Sequence, residues 1–377
     1  MFGKILLVCA MMSLSALTAK CMYAEETKAE GTKVGAHIKM TLYDYKDGKS
    51  NNVQGHEYAG MDFREMIVYL SSELTDKVSI DLQPYFSPGG VGLNTGATPR
   101  FGVPISNTKT TTSITPNFVG WVKAAMKVVL PHNYELSAGI VEPRFTWDYG
   151  AELFWEDEYN GGKFSCNTNL GAMPDTGFEL YKPFEIGKVS FPAYLYLLNG
   201  GNEFTDNNNT PMVMIHAEPE IGAWKFQGSL ARGTYDNANK YPVTRYSAGV
   251  SYEWQKFSIR SEWAGGNWEK SIRTPDAVSK TVSLTDATPF GYYVKLFYKF
   301  APWGRAMLHY DYADNNFNDI KTNPGGERFT TITPGLQLNV ASGSTIQIQY
   351  DIADWRRTDK SSTLKFNRLT IGSRTTF

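Results

Sequence analysis

Residues 33–45 read KVGAHIKMTLYDY, and this stretch of thirteen residues alternates between apolar and polar side chains. Successive side chains of an extended chain point to opposite faces, so one face of this segment is apolar. Alternation with a period of two is typical of a β-strand and does not fit a helix. The apolar face carries Val34, Ala36, Ile38, Met40 and Leu42, and the other face carries Gly35, His37, Lys39, Thr41 and Tyr43.

The same alternation recurs along the rest of the chain, and the connections between segments are short and long in turn. A closed ring of such strands pairs every backbone polar group while its apolar face meets lipid. The sequence therefore predicts an all-β fold, a transmembrane antiparallel β-barrel of about 16 strands with short periplasmic turns and long extracellular loops. Short turns are predicted at 75–77, 131–133, 185–187 and 222, and long connections at 46–61, 87–115, 142–175 and 199–210.

Aromatic residues concentrate beside the predicted short turns. Amphipathic rings favour the level of the lipid headgroups, so this edge of the barrel is expected to carry an aromatic belt. The residues of this predicted belt are Tyr134, Trp224, Trp254, Phe257, Phe300, Trp303 and Phe377.

The first residues have the layout of a secretory signal peptide. Lys4 precedes an apolar run over residues 5–17, and smaller and polar residues follow as far as Ala24. This layout predicts a signal peptide over residues 1–24 and an outer-membrane β-barrel over residues 25–377. Cleavage after Ala19 stays open, because Met22 is a poor residue two positions before a cut at Ala24.

Lipidation at Cys21 is the alternative processing route. It requires a small residue just before the cysteine, and Lys20 stands there instead. The signal-peptide interpretation is therefore preferred.

Composition argues against several classes of function. The chain has 37 basic and 38 acidic residues, and loss of Lys4 and Lys20 with the signal leaves 35 basic residues. Such a balance gives no broad basic field for nucleic acid. Cys166 is then the only cysteine left, so an internal disulfide framework is excluded. No cofactor or metal motif is found, and the glycines at 89–92 lack a strand-to-helix context.

Three stretches resemble the phosphate-selective porin O/P family of Gram-negative outer membranes. They are residues 130–139 (LPHNYELSAG) with Pro143 and Phe145, residues 174–180 (PDTGFEL) with 194–200 and 206–209, and the final strand 369–377 (LTIGSRTTF). The resemblance implies a sixteen-stranded barrel, often a homotrimer, through which small hydrophilic solutes diffuse. The terminal Phe377 is similar to the signal that the barrel assembly machinery reads. Phosphate selectivity is not implied, because no basic ladder matches residue by residue.

The alternation also predicts which charges face the lumen, since the residues that alternate with the apolar set point inward. Basic and acidic residues of this inward set nearly cancel, and we expect them to be hydrated by a water-filled channel. The predicted pore-lining residues are Lys123, Lys127, Arg245, Arg260, Glu262, Lys295, Lys299, Arg305, Asp311, Arg368 and Arg374.

The longest connection, residues 142–175, is a candidate constriction loop. It carries many acids against few bases, so an inward fold would place an acidic shelf opposite a basic wall. A transverse field of this kind orders water and selects dipolar solutes without requiring one net charge, so we expect weak ion selectivity. The charged residues of this loop are Glu142, Arg144, Asp148, Glu152, Glu156, Asp157 and Glu158.

The sequence thus predicts an outer-membrane porin for passive diffusion of small hydrophilic solutes or ions, without catalysis or cofactor. Its expected partners are outer-membrane lipid, lipopolysaccharide, the barrel assembly machinery and two further copies of itself. One alternative is a structural barrel or a sheath around a partner. The other is an outer-membrane hydrolase, for which His309 and Asp311 on one strand face, with Ser258 on a neighbouring strand, are the best candidates.

Overall fold

The computed structural model describes residues 32–47, 57–89, 115–147, 175–199, 210–234, 241–275, 282–314, 327–357 and 363–376. The predicted signal peptide and Phe377 lie outside these ranges. Within them, no helix has the length and apolar character needed to cross a membrane.

Eighteen β-strands make up the described chain. Their bounds are β1 Thr32–Asp47, β2 Glu57–Thr75, β3 Val78–Gly89, β4 Thr115–Leu130, β5 Tyr134–Val141, β6 Asp175–Ile186, β7 Val189–Leu198, β8 Met212–Ala217, β9 Glu220–Ile221, β10 Trp224–Thr234, β11 Pro242–Trp254, β12 Phe257–Pro275, β13 Val282–Ala287, β14 Phe290–Ala301, β15 Gly304–Asp314, β16 Glu327–Ala341, β17 Ser344–Arg357 and β18 Thr363–Thr376.

The strands pair antiparallel with their neighbours in sequence, and β18 pairs with β1 from His37 opposite Thr376 to Asp47 opposite Phe366. The sheet is therefore closed. β8 and β9 share the place between β7 and β10, while β13 and β14 follow one another along β12. The eighteen strands thus fill sixteen positions in the ring, and the prediction of an antiparallel barrel of about sixteen strands is confirmed.

Two prolines cause the interruptions. The sequence predicts one strand over 212–221, but Pro219 lies between β8 and β9, and Pro289 lies between β13 and β14. Proline has no backbone N–H and cannot donate to a ladder. Both prolines still accept, since Phe226 donates to the carbonyl of Pro219 at 2.9 Å and Gly266 to that of Pro289 at 3.1 Å.

One long strand extends beyond the sequence-based boundary. The prediction ends a strand at residue 264, whereas β12 continues to Pro275 and pairs there with β13. Gly265 and Gly266 interrupt the alternation, so the sequence pattern does not show that the strand continues beyond them. A Cβ on Gly265 would meet the ring of Tyr246 at 2.6 Å, so this glycine makes room for an aromatic side chain of β11.

The two faces of the sheet differ as the alternation predicts. On β8, Met212, Met214 and His216 are buried while Val213 and Ile215 are exposed. The other described strands of the second half repeat this pattern, so a face of exposed apolar side chains surrounds the barrel. The buried side chains of the opposite face point into its interior.

The short turns need special backbone conformations. A single 3₁₀ turn at Pro131–Asn133 joins β4 to β5, with both His132 and Asn133 at φ +62°. Exposed aromatic rings stand beside the short turns, including Trp254 next to Phe257 and Phe300 next to Trp303. The predicted belt residues that are described thus cluster at one edge of the barrel.

We expect Gly177→Ala to destabilise the barrel. Gly177 of β6 pairs with Gly139 of β5, and a Cβ at Gly177 would lie 2.1 Å from the carbonyl oxygen of Leu197 on β7. Overpacking against backbone costs about 1–3 kcal/mol. Urea unfolding of the barrel in lipid vesicles, followed by tryptophan fluorescence, measures the loss.

Gly228→Ala on β10 is the matched control, because the nearest atom to its Cβ would be the carbonyl oxygen of Ser247 at 4.0 Å. Its unfolding free energy should stay within about 0.5 kcal/mol of the wild type. Equal destabilisation by both substitutions would contradict the close approach of β6 and β7.

Candidate functional site

The strand register aligns the predicted inward charges of β12, β14 and β15 into rows. One row runs from Arg260 through Lys295 to His309, and the next runs from Glu262 through Tyr293 to Asp311. Lys299 pairs with Arg305 closer to the short-turn edge. Basic and acidic side chains therefore alternate along this part of the wall.

Two ion pairs lie on the same face at β3 to β5. Lys123 Nζ is 3.3 Å from Asp81 Oδ2, and Lys127 Nζ is 3.3 Å from Glu135 Oε2. Lys123 and Asp81 keep about a quarter of their side-chain surface exposed. These charges are accessible, and each has a partner of opposite sign.

For Arg368 and Arg374 the structure gives the backbone register alone. Arg368 pairs with Asp351 of β17, while Arg374 pairs with Thr345 of β17 and Lys39 of β1. This register is the one that the alternation predicts.

The first six residues of the long loop, 142–147, enter the barrel and bind its wall. We call these residues the loop stem. The carbonyl oxygen of Phe145 accepts hydrogen bonds from Ser229 Oγ at 2.7 Å and Ser247 Oγ at 2.6 Å. Trp147 N donates to Glu262 Oε1 at 2.9 Å. The side chain of Phe145 is completely buried.

The loop stem packs directly on basic residues of the wall. The Arg245 guanidinium carbon lies 5.3 Å from the centre of the Phe145 ring, and that of Arg260 lies 5.6 Å from the Trp147 ring. Aromatic rings of the stem contact these arginines, and the expected acidic shelf opposite a basic wall stays a prediction. The other acids of the loop, Asp148, Glu152, Glu156, Asp157 and Glu158, lie outside the described residues.

The charged residues of the stem face the wall of β6 to β8. Arg144 N donates to Tyr196 Oη at 3.3 Å, and Arg144 Nη1 is 3.8 Å from Glu218 Oε2. Burial raises the pKa of Glu142 to about 7, although Lys123 and Arg144 act in the opposite direction. Glu142 thus changes charge near neutral pH.

Hydration differs between two parts of the interior. Lys295, Asp311 and Asp351 are each at most 2% exposed, so the expectation that inward charges are hydrated is wrong for these three residues. Buried charges require partners. Thr333 Oγ1 donates to Asp351 Oδ1 at 2.7 Å, and the Lys295 ammonium lies 4.8 Å from the Tyr293 ring centre. The ion pairs of β3 to β5 and Arg144 of the stem stay accessible, as do Lys299 and, in part, Arg305 near the short turns.

The candidate hydrolase residues are not brought together. His309 and Asp311 share a face of β15, but β14 separates that strand from Ser258 on β12. Ser258 pairs with Phe297, whereas the row of His309 contains Lys295 and Arg260. Among the described residues, no group of three or more His, Cys, Asp or Glu side chains is arranged to hold a metal ion.

The sequence-based selection of charged residues missed several inward side chains that contact the stem. Ser229, Ser247 and Tyr196 bind its backbone, and Gln227 donates to Glu262 at 2.7 Å. These uncharged residues alternate with exposed apolar side chains on their strands, so they lie on the inward face. Considering every inward hydrogen-bonding side chain would have included them.

No protein-family model and no curated protein matches this chain. Solved structures do match it over nearly its whole length. The outer-membrane channel DcaP of Acinetobacter baumannii has a TM-score of 0.59 at 10% identity, covering 94% of this chain and 99% of that one. The anion-selective porin from Comamonas acidovorans has a TM-score of 0.58 at 12% identity, covering 92% and 99%.

A third similar structure is OmpT of Vibrio cholerae, an outer-membrane protein folded in vitro, in its trimer form. Its TM-score is 0.52 at 13% identity, with 92% of this chain and all of that chain covered. At this level of identity the likeness establishes the fold. The fold is that of outer-membrane porin β-barrels.

Proposed function

We propose that this chain is an integral outer-membrane porin that lets small hydrophilic solutes and ions diffuse passively through its lumen. The observation that carries the proposal is the closed ring of sixteen strand positions with an apolar outer face and a polar, charged inner face. A ring of this size is wide enough to hold an aqueous channel. The similarity to channels and porins in fold supports the same function.

The described stem enters the lumen, and this supports a constriction at that level. It binds β10, β11 and β12 through Ser229, Ser247 and Glu262, so it narrows the lumen on that side. The remaining space borders β3 to β7, whose charges are accessible. A permeating solute would pass along those strands.

The charges on this path favour weak ion selectivity. Lys123 and Lys127 are each paired with a carboxylate, and Arg144 lies beside Glu218. Paired charges exert little net field on a passing ion. We therefore propose general permeation rather than phosphate selectivity.

A homotrimer is the proposed assembly, in line with the trimer form of OmpT. Outer-membrane lipid and lipopolysaccharide would surround the apolar outer face. The C-terminal strand ending in Phe377 would be recognised by the barrel assembly machinery.

Conductance of the purified full-length protein in planar bilayers tests the proposal. We expect the current to rise in steps as channels insert. In a KCl gradient, the reversal potential should lie close to zero and far from the Nernst potential of either ion, because the accessible charges are paired. A strong anion preference would contradict the selectivity argument and favour a phosphate-type pore. Closed barrels that insert without conducting would favour a structural or sheathing role.

Removal of the two serines tests the role of the stem. We expect Ser229→Ala with Ser247→Ala to raise the open-channel current and its noise, because a buried carbonyl without donors costs about 1–3 kcal/mol and releases the stem. Ser251→Ala, on the same inward face of β11, is the control and should conduct like the wild type. Identical currents for both variants would show that the stem does not limit conduction.

The pH dependence of ion preference tests Glu142. Its pKa of about 7 makes it mostly neutral at pH 6 and mostly ionised at pH 8. The reversal potential should therefore shift toward cation preference as the pH rises. Glu142→Gln should abolish most of this shift, whereas Glu135→Gln, which removes another inward carboxylate, should retain it. An unchanged shift in Glu142→Gln would assign the titration to another group.

A further inference from the structure

Three tyrosines occupy adjacent inward positions on β6 and β7. The ring centres of Tyr181 and Tyr194 are 4.9 Å apart, and those of Tyr194 and Tyr196 are 6.0 Å apart with nearly parallel planes. Tyr196 is completely buried, whereas Tyr181 and Tyr194 keep part of their surface accessible. Together they form an aromatic surface beside the stem, which contacts Tyr196 and Tyr194 through Arg144 and leaves Tyr181 and part of Tyr194 accessible.

Hydrogen-bonding groups of both kinds surround this aromatic surface. The guanidinium carbon of Arg144 lies 5.2 Å from the Tyr194 ring centre, and half of the Arg144 side chain is exposed. Glu218 lies beside it, with Oε1 held 3.0 Å from His216 Nε2. Glu179, opposite Tyr196 in the register, accepts from Ser137 at 3.5 Å. Donors and acceptors are therefore fixed within reach of one solute.

We propose that Tyr181 and Tyr194, with Arg144, Glu179 and Glu218, form a binding site for a neutral carbohydrate in transit through the channel. A sugar ring offers an apolar face to an aromatic side chain and a rim of hydroxyl groups to donors and acceptors. Small-molecule sites commonly combine aromatic walls with a few fixed polar groups in this way. The inference rests on the proposed channel function and names its substrate class.

Charge distribution favours a neutral ligand over an ion. An anion site needs cations without nearby carboxylates, but Lys123, Lys127 and Arg144 each lie beside one. An organic cation would be repelled by the positive charge of Arg144 beside the aromatic surface. A neutral polyhydroxylated solute suffers from neither conflict.

Sugar-dependent block of the ion current tests the inference on the full-length protein in planar bilayers. Maltotriose should reduce the wild-type current saturably, whereas choline and phosphate should not, and open-chain sorbitol should act much more weakly. Tyr181→Ala with Tyr194→Ala should raise the half-blocking maltotriose concentration roughly tenfold, since two aromatic contacts are lost. Tyr181→Phe with Tyr194→Phe keeps both rings and should retain most of the block.

The control variant is Tyr298→Ala with Tyr350→Ala, which removes two tyrosines from the exposed outer face. It should leave the half-blocking concentration unchanged. A conducting wild type that maltotriose does not block, or that choline or phosphate blocks instead, would overturn the carbohydrate site and leave the channel proposal intact. Absence of conductance would overturn the channel proposal itself. Conductance of each variant shows that its barrel has folded.

Discussion

The pairing of β18 with β1 joins the two edges of the sheet, so that the backbone ladder runs around the whole barrel. A sheet with open edges would leave rows of N–H and C=O groups without partners, and each would cost several kcal/mol in hydrocarbon. Closure of the sheet turns the two faces of each strand into the outer and the inner surface of the barrel. The alternating apolar and polar side chains are thereby assigned to these two surfaces. Where Pro219 and Pro289 remove a donor, their carbonyls still accept, and the ring continues past both interruptions.

The inside of this ring is not uniform. The loop stem satisfies its own backbone groups with Ser229, Ser247 and Glu262, and it places Phe145 and Trp147 against β10 to β12. Buried polar side chains also occur on β14 to β17, where Thr333 Oγ1 donates to Asp351 and Gln347 Nε2 donates to Gln349. The side formed by β3 to β7 keeps accessible ion pairs and tyrosines. Under the proposed channel function, such an arrangement would direct a solute to one side of the lumen.

Alternation alone predicted the antiparallel barrel, the inward positions and the site of most short turns, because it shows which face of a strand each side chain occupies. It carries no information on contacts between distant residues. It did not predict the extension of β12, because Gly265 breaks the pattern to accommodate Tyr246. It also could not predict which wall the stem contacts. Trp147 and Glu262 are 115 residues apart, and no local pattern records that contact. The burial of Lys295 could not be predicted from the alternation either, because it depends on the side chains of neighbouring strands.

The packing of the stem also decides which of the nearly balanced charges a solute meets. Arg245 is almost fully buried under Phe145, so its positive charge is withdrawn from the lumen, whereas Arg260 contacts the Trp147 ring and stays partly exposed. Lys123 and Lys127 remain accessible but are neutralised by partners of opposite sign. Under the proposed channel function, selectivity would therefore depend on where the stem packs, since the same residues with the stem on the other side would expose Arg245 to the lumen. Net charge alone would not distinguish the two arrangements.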